Sequence, residues 1–124
     1  MKNPVTILVT EDVDNNFLLL EQYLSNINVE AIRAKNGMEA VEICKKNEKI
    51  VLVLMDLKMP VMDGFEATVR IKRLRPDLPI IAQTAYARET DKIKAFASGC
   101  SGFISKPYKK EELISVIREH LVLD

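Results

Sequence analysis

The stretch that decides the fold is LVLMDLKMPVMDGFEA, residues 52–67. It completes an unbroken apolar run, Ile50 to Met55, which ends directly in the carboxylate of Asp56. A short run of this kind is typical of a β-strand that is covered on both faces. Proline and glycine follow within the same stretch and indicate a loop before the next helical pattern. The sequence therefore predicts a buried strand that carries a single carboxylate at its end.

Short apolar runs and helical patterns alternate along the whole chain. We predict strands at Val5 to Val9, Val29 to Ala34, Ile50 to Met55, Leu78 to Gln83 and Gly102 to Ser105. Helical spacing of apolar residues covers Phe17 to Ile27, Met38 to Lys46, Phe65 to Leu74, Glu89 to Ser98 (with a glycine cap at Gly99) and Glu111 to Leu121. Strict alternation predicts an α/β fold, a doubly wound five-stranded parallel sheet with helices on both faces. No repeat or linker is visible, so residues 1–124 are assigned to one domain.

Composition narrows the class of protein. The chain has 124 residues, of which 48% are hydrophobic, and 18 basic residues balance 18 acidic ones. A formal charge of zero disfavours binding to nucleic acid or to an anionic membrane through bulk charge. Since neither a membrane-spanning run nor a signal peptide is apparent, we predict a cytoplasmic protein with Cys44 and Cys100 as reduced thiols. The single histidine, His120, is interpreted as a solvated residue near a helix end.

Polar residues follow the ends of four predicted strands. Glu11 and Asp12 follow the first strand, and Asp56 follows the third. Thr84 follows the fourth strand, and Lys106 follows the fifth. In a sheet of strand order 2-1-3-4-5, sites form beyond the carboxyl ends, where the order reverses between the first and third strands. We therefore expect acids, a hydroxyl and an ammonium group to converge there.

This set of groups favours phosphoryl transfer. Clustered carboxylates repel one another unless a cation or protons neutralise them, and hard oxygen ligands suit Mg²⁺ rather than zinc. Such a cation and Lys106 would offset the charge on a phosphoryl group, and the Thr84 hydroxyl and the Ala85 amide could hydrogen-bond it. Asp56 would be the nucleophile and would form an aspartyl phosphate.

Four motifs carry a family resemblance. They are TEDVDNN (10–16), LMDLKMPVMDG (54–64), QTAYA (83–87) and SGFISKP (101–107). In this order, and at strand ends, they resemble the receiver domain of two-component response regulators. The resemblance spans essentially the whole chain and implies a flavodoxin-like fold similar to that of the chemotaxis regulators. It leaves open whether the chain stands alone or was cut from a hybrid sensor histidine kinase.

The resemblance implies a role for each acidic residue. Asp56 is the implied phosphoacceptor, and Glu11 and Asp12 are the implied acidic pair. Mg²⁺ would be bound by Asp12, Asp56 and the backbone carbonyl of Lys58, with Glu11 acting partly through water. Thr84 and Lys106 would take the family's hydroxyl and lysine roles at the phosphoryl group.

Further roles implied by the resemblance concern the switch and the lifetime of the phosphoryl group. Thr84 would turn toward the phosphoryl group and Phe103 would move into the vacated space, which reshapes the face of the fourth helix, fifth strand and fifth helix. Phe103 stands where the family more commonly has Tyr. Lys58 and Tyr86 would flank the phosphoryl group and lengthen its lifetime. The Lys106–Pro107 bond is expected to be cis.

The implied function is a phosphorelay signalling domain rather than a classical enzyme. The expected phosphoryl donor is a histidine kinase or a histidine phosphotransfer domain, and the expected state is a monomer or a weak dimer. The expected output partner is unknown, with neither direct nucleic-acid binding nor membrane insertion. A docking module that is not phosphorylated is one alternative. A flavin carrier is disfavoured because TEDVDNN would repel phosphate, and an aspartate-nucleophile phosphatase because Lys58 stands where a second acid is needed.

Overall fold

A computed structural model describes residues 3–85 and 88–122. Within these ranges, strands and helices alternate without exception. The strands are β1 (Val5–Thr10), β2 (Val29–Ala34), β3 (Ile50–Asp56), β4 (Ile80–Thr84) and β5 (Gly102–Ser105). The helices are α1 (Asp14–Ser25), α2 (Gly37–Lys46), α3 (Gly64–Leu74), α4 (Glu89–Ser98) and α5 (Lys110–Arg118).

The strands form one parallel sheet in the order β2-β1-β3-β4-β5. The predicted fold class and strand order are therefore confirmed. Strand β4 begins at Ile80 rather than at Leu78, because Pro79 between them has no N–H to donate to a neighbouring strand. Helix α5 ends at Arg118 rather than at Leu121.

The hydrophobic core lies in two layers, one on each face of the sheet. On the α2–α4 side, Val53 and Met55 of β3 pack among buried residues of the helices. On the α1–α5 side, Leu52 and Leu54 of the same strand do the same. All four side chains are fully buried, and each contributes roughly 1.5–3 kcal/mol through loss of contact with water. Strand β3 is therefore held from both faces, as its apolar run predicted, and it fixes the position of Asp56 at its end.

The two cysteines lie inside the core. Cys44 and Cys100 are both buried, and neither forms a disulfide. Burial raises the pKa of each thiol to about 11. The charge of Arg75 lowers the pKa of Cys44 by less, as do the Thr68 hydrogen bond and then the charge of Lys72 for Cys100. Both thiols therefore stay protonated at neutral pH.

No helix in residues 3–85 and 88–122 has both the length and the apolar character that crossing a bilayer requires.

His120 differs from the interpretation given by the sequence. The ring is half-buried beyond the end of α5, with Nδ1 at 3.0 Å from the Val116 carbonyl and Nε2 at 3.3 Å from the Ser101 carbonyl. A Cβ atom at Gly102 would lie 3.2 Å from the ring. His120 is therefore a packing residue that joins the end of α5 to the start of β5. No sequence pattern indicates these contacts, because Ser101 and Gly102 are distant from His120 in the chain.

Gly99 ends α4 in the left-handed conformation, with φ of 116°. Its N–H caps the helix by donating to the carbonyls of Ala95 and Phe96. A Cβ atom there would lie 2.9 Å from the Cγ atom of Lys72 on α3. The predicted glycine cap is therefore present, and α4 turns back toward β5 at this point.

We expect Gly99→Ala to lower the free energy of unfolding by about 1–2 kcal/mol, because an alanine is strained in the left-handed region. Gly99→Asn should lose less, since asparagine tolerates this conformation better. Urea denaturation of the two variants and the wild type measures the effect. Equal stability of all three proteins would contradict the role assigned to this cap.

Candidate functional site

Three carboxylates converge at the carboxyl end of the sheet. Glu11 and Asp12 follow β1, and Asp56 ends the neighbouring strand β3. One oxygen from each side chain lies within 4.8 Å of the others. Glu11 and Asp56 are buried, at 1% and 6% exposure, whereas Asp12 is exposed. The parallel pairing of β1 with β3 thus brings together the acids that the sequence places at the two strand ends.

The Lys106 ammonium group lies between the two buried carboxylates. Its Nζ atom donates to Oδ2 of Asp56 at 2.9 Å and to Oε1 of Glu11 at 3.2 Å. The Lys106 N–H donates to the Thr84 carbonyl at 2.8 Å, and the following peptide bond to Pro107 is cis. Burial lowers the pKa of Lys106, but the hydrogen bonds and charges of Asp56 and Glu11 outweigh it and raise the pKa overall. The ammonium form therefore persists at neutral pH.

The second oxygen of Asp56 is also held. Oδ1 of Asp56 accepts a hydrogen bond from the Lys58 N–H at 3.0 Å. The amide of Leu57, which lies between these two residues, donates to the Gln83 carbonyl on β4 at 3.1 Å. The carboxylate therefore has one oxygen on an ammonium group and the other on a loop amide, which fixes its orientation.

The loop after β3 folds back on the strand that precedes it. The Gly64 N–H donates to the Leu57 carbonyl at 3.3 Å, and any Cβ atom at Gly64 would overlap the carbonyl oxygen of Asp56. Asp63 caps α3 by accepting from the Glu66 N–H at 2.9 Å. Only glycine fits at position 64, and this close approach keeps Lys58 beside the carboxylate.

The β1–α1 loop is tied to the edge strand β2. The Glu11 N–H donates to the Ala34 carbonyl, and the Glu11 carbonyl accepts from Nε of Arg33, each at 2.9 Å. Arg33 also pairs with Asp14 at 2.7 Å and lies 5.4 Å from the centre of the Phe17 ring. This ion pair lowers the pKa of Asp14. Sequence reasoning missed Arg33, although a lone arginine in an edge strand was a visible signal.

The two residues expected to act in switching lie on neighbouring strands. Thr84 ends β4 and is 1% exposed, next to the site in register with Ser105. Phe103 of β5 is half-buried, in register with Ala82, and packs on the α2–α4 side of the sheet. Tyr86, predicted to flank the phosphoryl group, lies outside the described residues. Thr84 therefore lies beside Lys106, whose N–H donates to its carbonyl, and Phe103 lies in the core layer on the α2–α4 side of the sheet.

A buried polar network beneath the site was also missed by sequence reasoning. The Tyr108 hydroxyl donates to Oε1 of Gln83 at 2.6 Å, and Nε2 of Gln83 donates to the Thr10 carbonyl at 3.3 Å. Burial, and then the charges of Glu11 and Asp56, raise the pKa of Tyr108, so its hydroxyl remains a donor. A glutamine among the apolar residues of β4 was the one available signal.

The donor set fits a hard divalent cation. All the possible ligand atoms are carboxylate oxygens, from Glu11, Asp12 and Asp56. Of these residues, Asp12 is exposed to solvent. Mg²⁺ prefers oxygen ligands and keeps several waters, which an exposed rim allows. The site can therefore hold such an ion beside Lys106.

Comparison with known proteins gives a consistent result. A family model described as the response regulator receiver domain matches residues 7–118. The polar-differentiation response regulator DivK of Brucella anthropi is 32% identical over 95% of this chain and 97% of its own length. The autoinducer 1 sensor kinase/phosphatase LuxN of Vibrio campbellii is 41% identical over 76% of this chain, which covers 11% of LuxN. The chain therefore spans about a tenth of that kinase.

Solved structures show the same architecture. The receiver domain of a Pseudomonas aeruginosa sensor histidine kinase, with a magnesium ion coordinated in its active site cleft, has a TM-score of 0.87 and 28% identity over 94% of this chain and 97% of its own. A further similar structure comes from Saccharomyces cerevisiae, in the complex of the histidine phosphotransfer protein Ypd1 with the receiver domain of Ssk1. It has a TM-score of 0.87 and 31% identity over 97% of this chain and 90% of that one.

We expect Lys106→Met to lower the free energy of unfolding at pH 7 by about 1–3 kcal/mol, because two buried carboxylates lose their cation. The pKa of Lys106 is raised on folding, so its contribution is fully present below the ordinary value of 10.5 and is lost as the pH rises through the raised value. The stability difference between wild type and variant should therefore be constant at lower pH and begin to shrink as the pH rises above 10.5. Urea denaturation between pH 7 and 11 measures it, and a difference that grows would contradict the assignment.

Proposed function

This chain belongs to the response regulator receiver domain family, and from that premise we propose that it accepts a phosphoryl group on Asp56 from a phosphohistidine of a partner protein. The family consists of signalling domains rather than classical enzymes. One observation carries the proposal. The Asp56 carboxylate is held at both oxygens, by Lys106 and by the Lys58 amide, next to two further carboxylates that can share a cation.

The reaction is a phosphoryl transfer between two side chains. A carboxylate oxygen of Asp56 forms a bond to phosphorus, the N–P bond of the phosphohistidine breaks, and its electron pair stays on the imidazole nitrogen. The product is a mixed anhydride, an aspartyl phosphate. Catalysis consists of positioning and charge compensation, since the transferred group passes through a loose transition state.

Residues around Asp56 compensate the charge that the phosphoryl group brings. The ammonium of Lys106, already 2.9 Å from Oδ2 of Asp56, can pair with a phosphoryl oxygen. The Thr84 hydroxyl and the Ala85 amide would hydrogen-bond another. Mg²⁺ would be held by Glu11, Asp12, Asp56 and the Lys58 carbonyl. When bound, this cation offsets negative charge on the phosphoryl oxygens.

The response to phosphorylation is proposed to run through Thr84 and Phe103. A phosphoryl group adds roughly 1.5–2 negative charges beside the buried Thr84 hydroxyl. Rotation of Thr84 toward it would free space for the Phe103 ring, which already packs on that side of the sheet. The α4–β5–α5 face would then change shape, and exposed apolar residues of α4, Ile93 and Phe96, would contact the output partner.

The proposed donor and the wider setting are supported by relatives. The Ypd1–Ssk1 complex supports a histidine phosphotransfer domain as the donor, and the similar receiver domain of a sensor histidine kinase supports a histidine kinase. DivK supports a stand-alone regulator, whereas LuxN supports a receiver within a sensor kinase. A cytoplasmic location stays a prediction. The contact of Lys106 with Asp56 favours a phosphorylated receiver over a docking module that is never phosphorylated, because that contact prepares the carboxylate for a phosphoryl group.

We expect incubation with acetyl phosphate and Mg²⁺ to add one phosphoryl group, detected by intact-protein mass spectrometry. Asp56→Asn should abolish the gain because the nucleophile is lost, and a chelator should prevent it in the wild type. Asp77→Asn, an exposed acid in the α3–β4 loop, is the matched control and should behave as wild type. A gain that survives in Asp56→Asn would overturn the assignment of the acceptor.

We expect Lys58→Ala and Tyr86→Ala to shorten the lifetime of the aspartyl phosphate. A long side chain and an aromatic ring on either side of the phosphoryl group should keep attacking water away, and alanine would admit it. Loss of the phosphorylated mass after the donor is removed gives the decay rate of each variant. Unchanged or slower decay would count against shielding by these two residues.

A further inference from the structure

The pairing between β1 and β3 changes just before the site. The register runs through Leu8 with Val53 and Val9 with Leu54, and it ends there. Beyond that point the Asp56 N–H donates to Oγ1 of Thr10 at 2.6 Å. The same hydroxyl donates its hydrogen to the Leu54 carbonyl at 3.1 Å. A side chain therefore continues the strand pairing where the main-chain register has ended.

The main-chain carbonyl of Thr10 is used elsewhere. It accepts from Nε2 of Gln83, which reaches it from β4. Gln83 is fully buried, and it is the register partner of Asp56 on β4. Its Oε1 accepts from the Tyr108 hydroxyl, so the carboxamide is held at both ends. The Thr10 carbonyl thus accepts from Gln83, and the Asp56 N–H donates to the Thr10 hydroxyl instead.

We propose that Thr10 is a positioning residue for phosphorylation of Asp56, whose hydroxyl sets the spacing between the ends of β1 and β3. The proposal rests on the function proposed above. Thr10 directly precedes Glu11 and Asp12, so one residue ties the two main chains that carry all three clustered acids. A reaction that relies on positioning can be slowed strongly by a displacement of about 1 Å.

A second threonine in the same strand provides a control that distinguishes this role from the general preference of threonine for β-strands. Thr6 is also buried, at 8% exposure, but it lies at the opposite end of β1 and pairs in register with Ile50. Thr10 is fully buried and has both hydrogen bonds at the site. Replacing its hydroxyl with a methyl group would leave the buried Asp56 N–H without its acceptor.

The test compares Thr10→Val, Thr10→Ser and Thr6→Val with the wild type. The rate constant of Asp56 phosphorylation is measured by mass spectrometry over a range of phosphoramidate concentrations with Mg²⁺ present. We expect Thr10→Val to lower the maximal rate constant about tenfold, with little change in the half-saturating donor concentration. Thr10→Ser keeps the hydroxyl and should retain the wild-type rate to within about twofold. Thr6→Val should match the wild type.

A second measurement does not depend on activity. Amide hydrogen exchange of Asp56, followed by NMR in the absence of donor and metal, should be about tenfold faster in Thr10→Val and unchanged in Thr6→Val. If Thr10→Val does not fold, Thr10→Ala and Thr10→Ser make an equivalent pair, because they differ only in the hydroxyl oxygen.

Each outcome separates this inference from the proposed function. A phosphorylated wild type with unchanged rate and exchange in Thr10→Val would overturn the role of Thr10 and leave the proposed function standing. Equal slowing in Thr6→Val would also overturn it, since the effect would then be one of general stability. A wild type that is never phosphorylated would sink the proposed function, whereas faster Asp56 exchange in Thr10→Val would still support the spacing role.

Discussion

The contact on which the site depends is a single ammonium group between two buried carboxylates. Lys106 extends from the end of β5 to Asp56 on β3 and to Glu11 beyond β1. Two carboxylates buried this closely would repel each other, and removal of their charges from water carries a large cost. The ammonium group compensates both, and its raised pKa reflects that balance. The two carboxylates can be buried close together because this cation lies between them.

The same crowding suits the proposed chemistry. One ammonium does not neutralise three carboxylates, so the site keeps an excess of negative charge that attracts a divalent cation. A phosphoryl group and a divalent cation bring opposite charges and can be accommodated together. The charges of the site therefore suit the binding of these charged groups rather than maximal stability of the folded protein, as is common in functional sites.

Rigid and adaptable parts of the molecule lie on opposite sides of Thr84. Strand β3 is covered on both faces and holds Asp56 in place. Helix α4, in contrast, buries only Asp91 and Ala95 among its described residues and leaves Ile93 and Phe96 exposed. Elements with few buried contacts rearrange at low cost. A fixed carboxylate beside a loosely packed helix suits the proposed phosphorylation-driven switch.

The sequence by itself determined the alternation of strands and helices and the acids at the strand ends, and the family resemblance implied the order of the strands. The alternation follows from local periodicity, and the shared position of the acids follows from the general rule that parallel strands present their carboxyl ends at one edge. Tertiary structure alone decided how those ends are held, through Thr10, Gln83, Tyr108 and Arg33. Thr10 and Gln83 are 73 residues apart, and a hydrogen bond between a side chain and a distant carbonyl leaves no periodic pattern in the chain. The contact of His120 with Ser101 was missed for the same reason, because it exists only once α5 packs beside β5.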